Sequence, residues 1–307
     1  MNNSKGIVYI IGSGLCFMVV NFLVKLLGGQ DTIEQLPVYS KFPTHELVLF
    51  RSIISFSISA FLLRKRNLSI LGTNRKGLFV RGFSGMIALT LFFYTIQHLP
   101  IAIASTLQYL APIFTIILAS FFLKDRITIG QWICIGIALI GVFILGLSKL
   151  EISALSAKIS WKWIIVGVIS AFFSGIAYIS VARLKATETP LNIVIYFPMI
   201  SLPVMGIWSC FDFVIPQKEE WIYLLLLGIF TQIAQVLMTR AFMIAEIGII
   251  SPFQYLGSIY ALIIGIYFFD ESLPILSILG IIFILSGVLV NLFVKSKKTC
   301  IKSIKRI

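Results

Sequence analysis

Apolar runs of about twenty residues follow one another almost without pause along this chain of 307 residues. A bilayer core takes about 20 predominantly apolar residues per helical span. Within hydrocarbon every backbone N–H and C=O must find a partner in the protein, and a helix does this inside one segment. Ten runs bounded by charges, prolines or short polar stretches are readable: 7–28, 45–63, 77–98, 101–123, 129–147, 162–182, 190–211, 220–239, 247–269 and 274–294. The first is too long for the apolar region of a signal peptide, and no small-residue cleavage site follows it. The expected fold class is an all-α integral membrane protein with ten transmembrane helices. Composition agrees, with 59% hydrophobic and 12% charged residues, against about 25% charged in a soluble domain.

Lysine and arginine set the orientation. With the N-terminus inside, 17 basic residues fall in inner segments, among them Arg64, Lys65, Arg66, Arg75, Lys76, Arg183 and Lys185. Five fall outside: Lys41, Lys149, Lys158, Lys162 and Lys218. Both termini are thus expected in the cytoplasm, with the chain in the inner or plasma membrane. The net charge of +13 is dispersed over short loops and a basic tail, 295–307. It points to a lipid bilayer as partner and not to nucleic acid. The four cysteines have no CxxC spacing, and the three in apolar runs read as small buried thiols. No metal site and no cofactor is expected.

The chain also repeats itself. Residues 101–114 read IAIASTLQYLAPIF and residues 247–260 read IGIISPFQYLGSIY, with seven of fourteen positions identical. The same offset of 146 sets Asp125 on Glu271, Gly141 on Gly287, Val142 on Val288 and Gly82 on Gly228. The unit covers five spans, so halves 1–150 and 160–294 are expected to enter the membrane from opposite faces. Two inverted five-helix repeats mark secondary transporters, whose site lies near the midplane at the repeat interface.

Polar spacing nominates residues for that interface. Ser105, Gln108, Pro112 and Thr115 share one helical face, as do Ser251, Gln254, Ser258 and Ala261. Gly228, Thr231, Gln232, Gln235 and Thr239 form a broad stripe, and Gly14, Phe17, Asn21 and Lys25 another. Buried polar groups are costly in hydrocarbon, so these stripes face other helices or a wet cavity. The candidate substrate-binding set is Asn21, Arg51, Gln108, Tyr109, Gln232, Gln235, Gln254 and Tyr255. For the glutamines the alternative is a bridge between two helices. For Arg51, about 9 Å into its span at 1.5 Å per residue, the alternative is snorkelling or pairing with Glu46. Arg81 lies nearer its cytoplasmic boundary and is expected to snorkel. No Asp or Glu lies centrally in any span, which leans against a carboxylate-borne proton. Spans 5 and 10 have no central polar stripe and are expected at the periphery, packed through Gly136, Gly141, Ser286 and Gly287. That position makes them the surface through which a homodimer would form.

The residues QHLPIAIASTLQYLAPIFTIILASFFLKDRITIGQWICIGIALIGVFIL and AEIGIISPFQYLGSIYALIIGIYFFDESLPILSILGIIFILSGVLV resemble the EamA-type branch of the drug/metabolite transporter superfamily, including bacterial relatives of the solute carrier 35 group. Leu99, Pro100, Pro112, Gln131, Gly136 and Gly141 fall where that pattern has them, as do Glu271, Gly280 and Gly287. Asp125 in place of Glu, and Ser258 in place of Pro, depart from it. The resemblance implies alternating access around a central cavity with peripheral fifth and tenth helices. It carries no substrate, because fold does not specify ligand. The expected function is a carrier for a small polar organic metabolite, working by exchange or facilitated transport. An intramembrane enzyme would need a paired acid/base set or a metal site, and none is readable. A non-transporting scaffold would have no need of mirrored polar stripes.

Overall fold

The structure, a computed structural model, describes residues 3–28, 40–123, 129–147, 160–245, 256–270 and 273–287. These form α1 (Asn3–Gly28), α2 (Thr44–Lys65), α3 (Arg75–His98), α4 (Ile101–Gln108), α5 (Ala111–Leu123), α6 (Ile129–Leu147), α7 (Trp161–Leu184), α8 (Pro190–Ser209), α9 (Glu220–Ile244), α10 (Leu256–Phe269) and α11 (Ile275–Gly287). There is no strand among the described residues. Helix lies within each of the ten apolar runs. Six helices, α1, α2, α3, α7, α8 and α9, are long and apolar enough to cross a membrane.

One apolar run is broken where the sequence predicts continuity. At 101–123 the helix lapses at Tyr109 and Leu110, whose N–H groups turn back three residues to Thr106 O and Leu107 O. Position 112 is proline, which has no N–H for the Gln108 carbonyl four residues earlier. Proline is at home in the first turn of the new helix, so α5 restarts at Ala111.

The surface is largely apolar, and polar groups are buried among the apolar ones of the interior. Phe61, Phe121, Ile129, Trp132, Phe143, Ile207, Trp221, Tyr267 and Phe283 face outward. Ser52, Ser55, Ser59, Arg51, Thr95 and Gln232 are buried. An exposed apolar patch of this extent is stable only against lipid. The protein is therefore an integral, multi-pass membrane protein.

Packing is organised in crossed pairs. Helix α3 lies along α7, and α1 along α9; α2 lies on α8, α3 also meets α8, and α2 also meets α9. Close approaches pin these pairs. A Cβ on Gly82 would stand 2.7 Å from Tyr196 O and from Ile200 Cδ1, while one on Gly228 would stand 2.5 Å from Ile54 Cδ1. Ser13 Oγ donates to Ala234 O at 2.9 Å, and Ser170 Oγ donates to Ala88 O at 2.7 Å. Single Ser and Thr side chains mostly bond their own helix, as Thr90, Thr106, Thr115 and Ser180 do to carbonyls four residues back.

Of the two glycines expected to pack the fifth span, only Gly141 serves contact within the chain. A Cβ on Gly141 would stand 2.7 Å from Ile284 N and 2.8 Å from Gly280 O, so α6 and α11 meet backbone to backbone there. Gly136 faces open space.

Candidate functional site

A cavity of about 170 Å³ opens between helices of both halves. Ser13, Gly14, Phe17 and Asn21 reach it from α1, Arg81, Gly85 and Phe93 from α3, and Ser105 and Gln108 from α4 with Tyr109 just beyond. Ser174 and Tyr178 line it from α7, Phe197 from α8, Gln235 from α9 and Gly257 from α10. A cavity near 150 Å³ holds a molecule of benzene's size. In this conformation the space therefore suits a small metabolite or the recognised end of a larger one.

Gln108 is shared between lining and bridging. Its Nε2 donates to Ser174 Oγ at 2.6 Å, and its Oε1 lies 3.1 Å from Ser170 Oγ, so α4 is tied to α7. The Tyr109 hydroxyl rests against the backbone at Gly257, where any Cβ would collide with it. Here a glycine lets a tyrosine from the first half touch α10 of the second.

The sequence stripes divide. Asn21, Gln108, Tyr109 and Gln235 come together around the cavity. Gln232 turns away from it: its Oε1 accepts from Ser55 Oγ and its Nε2 donates to Ser59 Oγ, bridging α9 to α2. Arg51 does not reach the lining either. It is 1% exposed, with its guanidinium carbon 4.5 Å from the Phe197 ring centroid and 5.8 Å from that of Phe93. Those two rings line the cavity and stand between it and Arg51. Pairing of Arg51 with Glu46 does not occur; Glu46 Oε2 instead accepts the Val214 N–H at 3.0 Å. Gln254 and Tyr255 lie outside the described residues.

Arg81, expected to snorkel, is instead 4% exposed and part of the lining. The reason is Gly85, one turn further along α3. A Cβ there would collide with Arg81 Nη1, so its absence leaves a trough in which the guanidinium folds back against its own helix. A glycine four residues after an arginine is the signal in the sequence that betrays this placement. Ser13, Ser174 and Tyr178 were also missing from the sequence-derived set. Tyr178 stands within electrostatic range of both Arg81 and Tyr109.

Two buried guanidiniums near one cavity cost energy. Removing a cation from water costs several kcal/mol, while a desolvated cation–π contact returns about 2 kcal/mol. No described acidic side chain pairs with either guanidinium, and Nε, Nη1 and Nη2 of Arg51 and Nε of Arg81 have no hydrogen-bond partner.

A multi-pass helical bundle whose mostly apolar cavity, set with a few polar groups, is walled by both halves has the architecture of a membrane carrier. The profile of the EamA-like transporter family matches this chain twice, over residues 4–147 and 161–293. The chain belongs to that family. It is 29% identical over 281 residues to the pseudopaline exporter CntI of Pseudomonas aeruginosa (strain UCBPP-PA14), covering 90% of this chain and 92% of that one. It is 24% identical over 284 residues to solute carrier family 35 member G1 of Mus musculus, covering 87% and 72%. A crystal structure of a protein 14% identical superposes with a TM-score of 0.66 over 94% of this chain and 96% of that one, a likeness of fold.

Proposed function

We propose that the chain is a secondary transporter that moves a small polar organic metabolite by alternating access, through exchange or downhill movement. Its two halves, 1–150 and 160–294, act as inverted repeats of five spans each, ten in all, with both termini in the cytoplasm. The carrying observation is an exchange of contacts. Gly82 packs on Ile200 while Gly228 packs on Ile54, and each residue has its counterpart 146 positions away in the other pair. Ser13 binds the Ala234 carbonyl while Ser170 binds that of Ala88; the acceptors differ by 146 and the donors, on α1 and α7, by 157. A two-fold relation between halves requires such swapped pairs, and five spans per half would place its axis in the membrane plane. The cavity lies among these contacts, where rocking one half against the other would expose it to each side in turn.

The described lining consists of apolar, Ser, Asn, Gln, Tyr and Arg side chains, with no carboxylate or imidazole. This supports exchange over strict proton symport. The outer faces of α6 and α11 carry exposed Trp132, Phe143, Ile278 and Phe283. They suit lipid, and a homodimer through them would use these faces because Gly141 is already engaged within the chain. The family and its named relatives favour a carrier over an enzyme.

The test is counterflow in vesicles carrying the full chain, against pooled labelled metabolites in the cell or plasma-membrane orientation. Movement without chemical change is expected. Product formation would turn the reading toward an enzyme, and accumulation driven by a proton gradient alone would end the exchange mechanism. Reporters placing the two termini on opposite faces would break the inverted-repeat reading.

A further inference from the structure

Arg81 carries the only formal charge among the described lining residues. It is 4% exposed, its Nε has no hydrogen-bond partner, and no described carboxylate neutralises it. Arg51, 1% exposed and equally without an acidic partner, adds a second positive charge behind the rings of Phe93 and Phe197. The field inside the cavity is therefore positive and uncompensated among the described residues. Arg81 begins about 9 Å from the start of α3 at 1.5 Å per residue, within reach of the membrane surface. It nevertheless turns inward, into the trough left by Gly85.

We propose, on the basis of the transport reading above, that the substrate is an organic anion whose carboxylate or phosphate seats on Arg81. A guanidinium fork matches the two oxygens of either group and holds them by paired charge-assisted bonds. Asn21 and Gln235 from α1 and α9, with Tyr178 from α7, supply donors and acceptors for the rest of the molecule. The anion completes the site electrostatically: the cavity holds a buried cation, and the substrate brings its counter-charge. Arg51 strengthens the attraction without touching the ligand, because Phe93 and Phe197 intervene.

The test uses the full chain in vesicles of zwitterionic phosphatidylcholine, so that no anionic lipid headgroup competes. Counterflow is measured for labelled dicarboxylates, sugar phosphates, their neutral amides and free sugars, and diamines. At least one anion is expected to move, roughly tenfold or more faster than its neutral partner. Arg81→Gln should lower that rate roughly tenfold or more, and Arg81→Lys should retain part of it. Gly85→Ala, which keeps the charge but fills the trough, should also slow the anion. It decides the question if Arg81→Gln does not fold. Movement of neutral or cationic members with the anions ignored overturns the proposal and leaves the transport reading standing. So does an anion rate unchanged in both folded variants. No movement of any panel member by folded protein overturns both.

Discussion

Two loops at opposite ends of α2 lie about 145 residues apart in the chain and are held by different sets of side chains. Loop 66–74, between α2 and α3, is held mostly by α8 and the loop before it. Asn192 Nδ2 donates to Ser69 O at 2.6 Å, the Tyr196 hydroxyl donates to Leu71 O at 2.7 Å, and Glu188 Oε1 accepts from the Thr73 N–H at 2.8 Å. Loop 210–219, between α8 and α9, is held mostly by the start of α2. Glu46 Oε2 accepts from Val214 N and His45 Nε2 lies 2.9 Å from Asp212 O, while the His45 ring stacks on Trp208 at the end of α8, just before the loop. Asn192 and Glu46 differ by 146 positions, so a neutral donor at one end matches a carboxylate acceptor at the other. One left-handed residue in each loop shares that offset, Gly72 at φ 60° and Lys218 at φ 39°, while Asn67 at φ 53° has no such counterpart at 213. The backbone path recurs while the side chains that hold it have diverged. A carrier that opens alternately needs both ends to close, yet nothing requires them to close at equal cost.

The largest expected effect is at the left-handed pair. Gly72→Ala forces a Cβ onto a positive φ, 2.5 Å from Glu188 Oε2 and 2.6 Å from Leu78 Cδ1. It should destabilise by about 2–3 kcal/mol, combining backbone strain and overpacking. Lys218→Gly should instead stabilise the other loop, by about 0.5–1 kcal/mol. Thermal unfolding in detergent should show opposite signs. Equal signs would mean that the two turns are not equivalent.

Next comes the clasp pair. Glu46→Ala leaves the Val214 N–H without its acceptor and should cost about 1–2 kcal/mol. Asn192→Ala removes a neutral donor and should cost about 1 kcal/mol. A cysteine replacing Ile215 should become more reactive to an impermeant thiol reagent only in the first variant, and one replacing Ser69 only in the second. Cross-talk would show that the ends are coupled and not merely alike.

The two glutamines offer a sharper contrast within the bundle. Gln232→Ala should lower stability by about 1 kcal/mol, through its two lost serine partners, with little change in the apparent transport constant. Gln108→Ala should raise that constant several-fold. The reverse pattern would exchange their roles of bridge and lining.

The smallest effect is titration of Glu188. Burial raises its carboxyl pKa, but hydrogen bonds from the Asn74 N–H, the Thr73 hydroxyl and the Thr73 N–H outweigh burial and hold it below the ordinary 4.5. A lowered folded value means this stabilisation is present above pH 4.5 and is lost as pH falls through the folded value. The ratio of labelling of a cysteine at 69 in Glu188→Gln to that in the parent, taken at each pH so that the loss of thiolate cancels, should exceed one at neutral pH and fall toward one in acid.

The apolar spans were legible because the bilayer imposes a local rule: each segment must satisfy its own backbone. A twenty-residue window is enough to read that rule. The break at Tyr109 was legible only in part, since proline 112 announces a weak point without saying whether neighbours keep the helix whole. The cavity was legible as far as polar stripes reach. Asn21, Gln108 and Gln235 lie on such stripes and line it. Gln232 lies on the same stripe as Gln235, three residues or about 60° away, and meets Ser55 and Ser59 instead. Helical phase narrows a side chain to a sector; the neighbouring helix decides what fills that sector. Arg51 and Arg81 make the same point with charge. Burial depth along each helix is written in the sequence, but only packing put Phe93 and Phe197 in front of Arg51 and the Gly85 trough beneath Arg81. By itself the sequence determined a helical, lipid-embedded chain that repeats at 146 residues, since hydropathy and repetition are properties of one strand read in order. The tertiary structure decided which polar groups share a cavity and which merely join helices, because those contacts join residues 62 to 221 positions apart and depend on shapes that no local window contains.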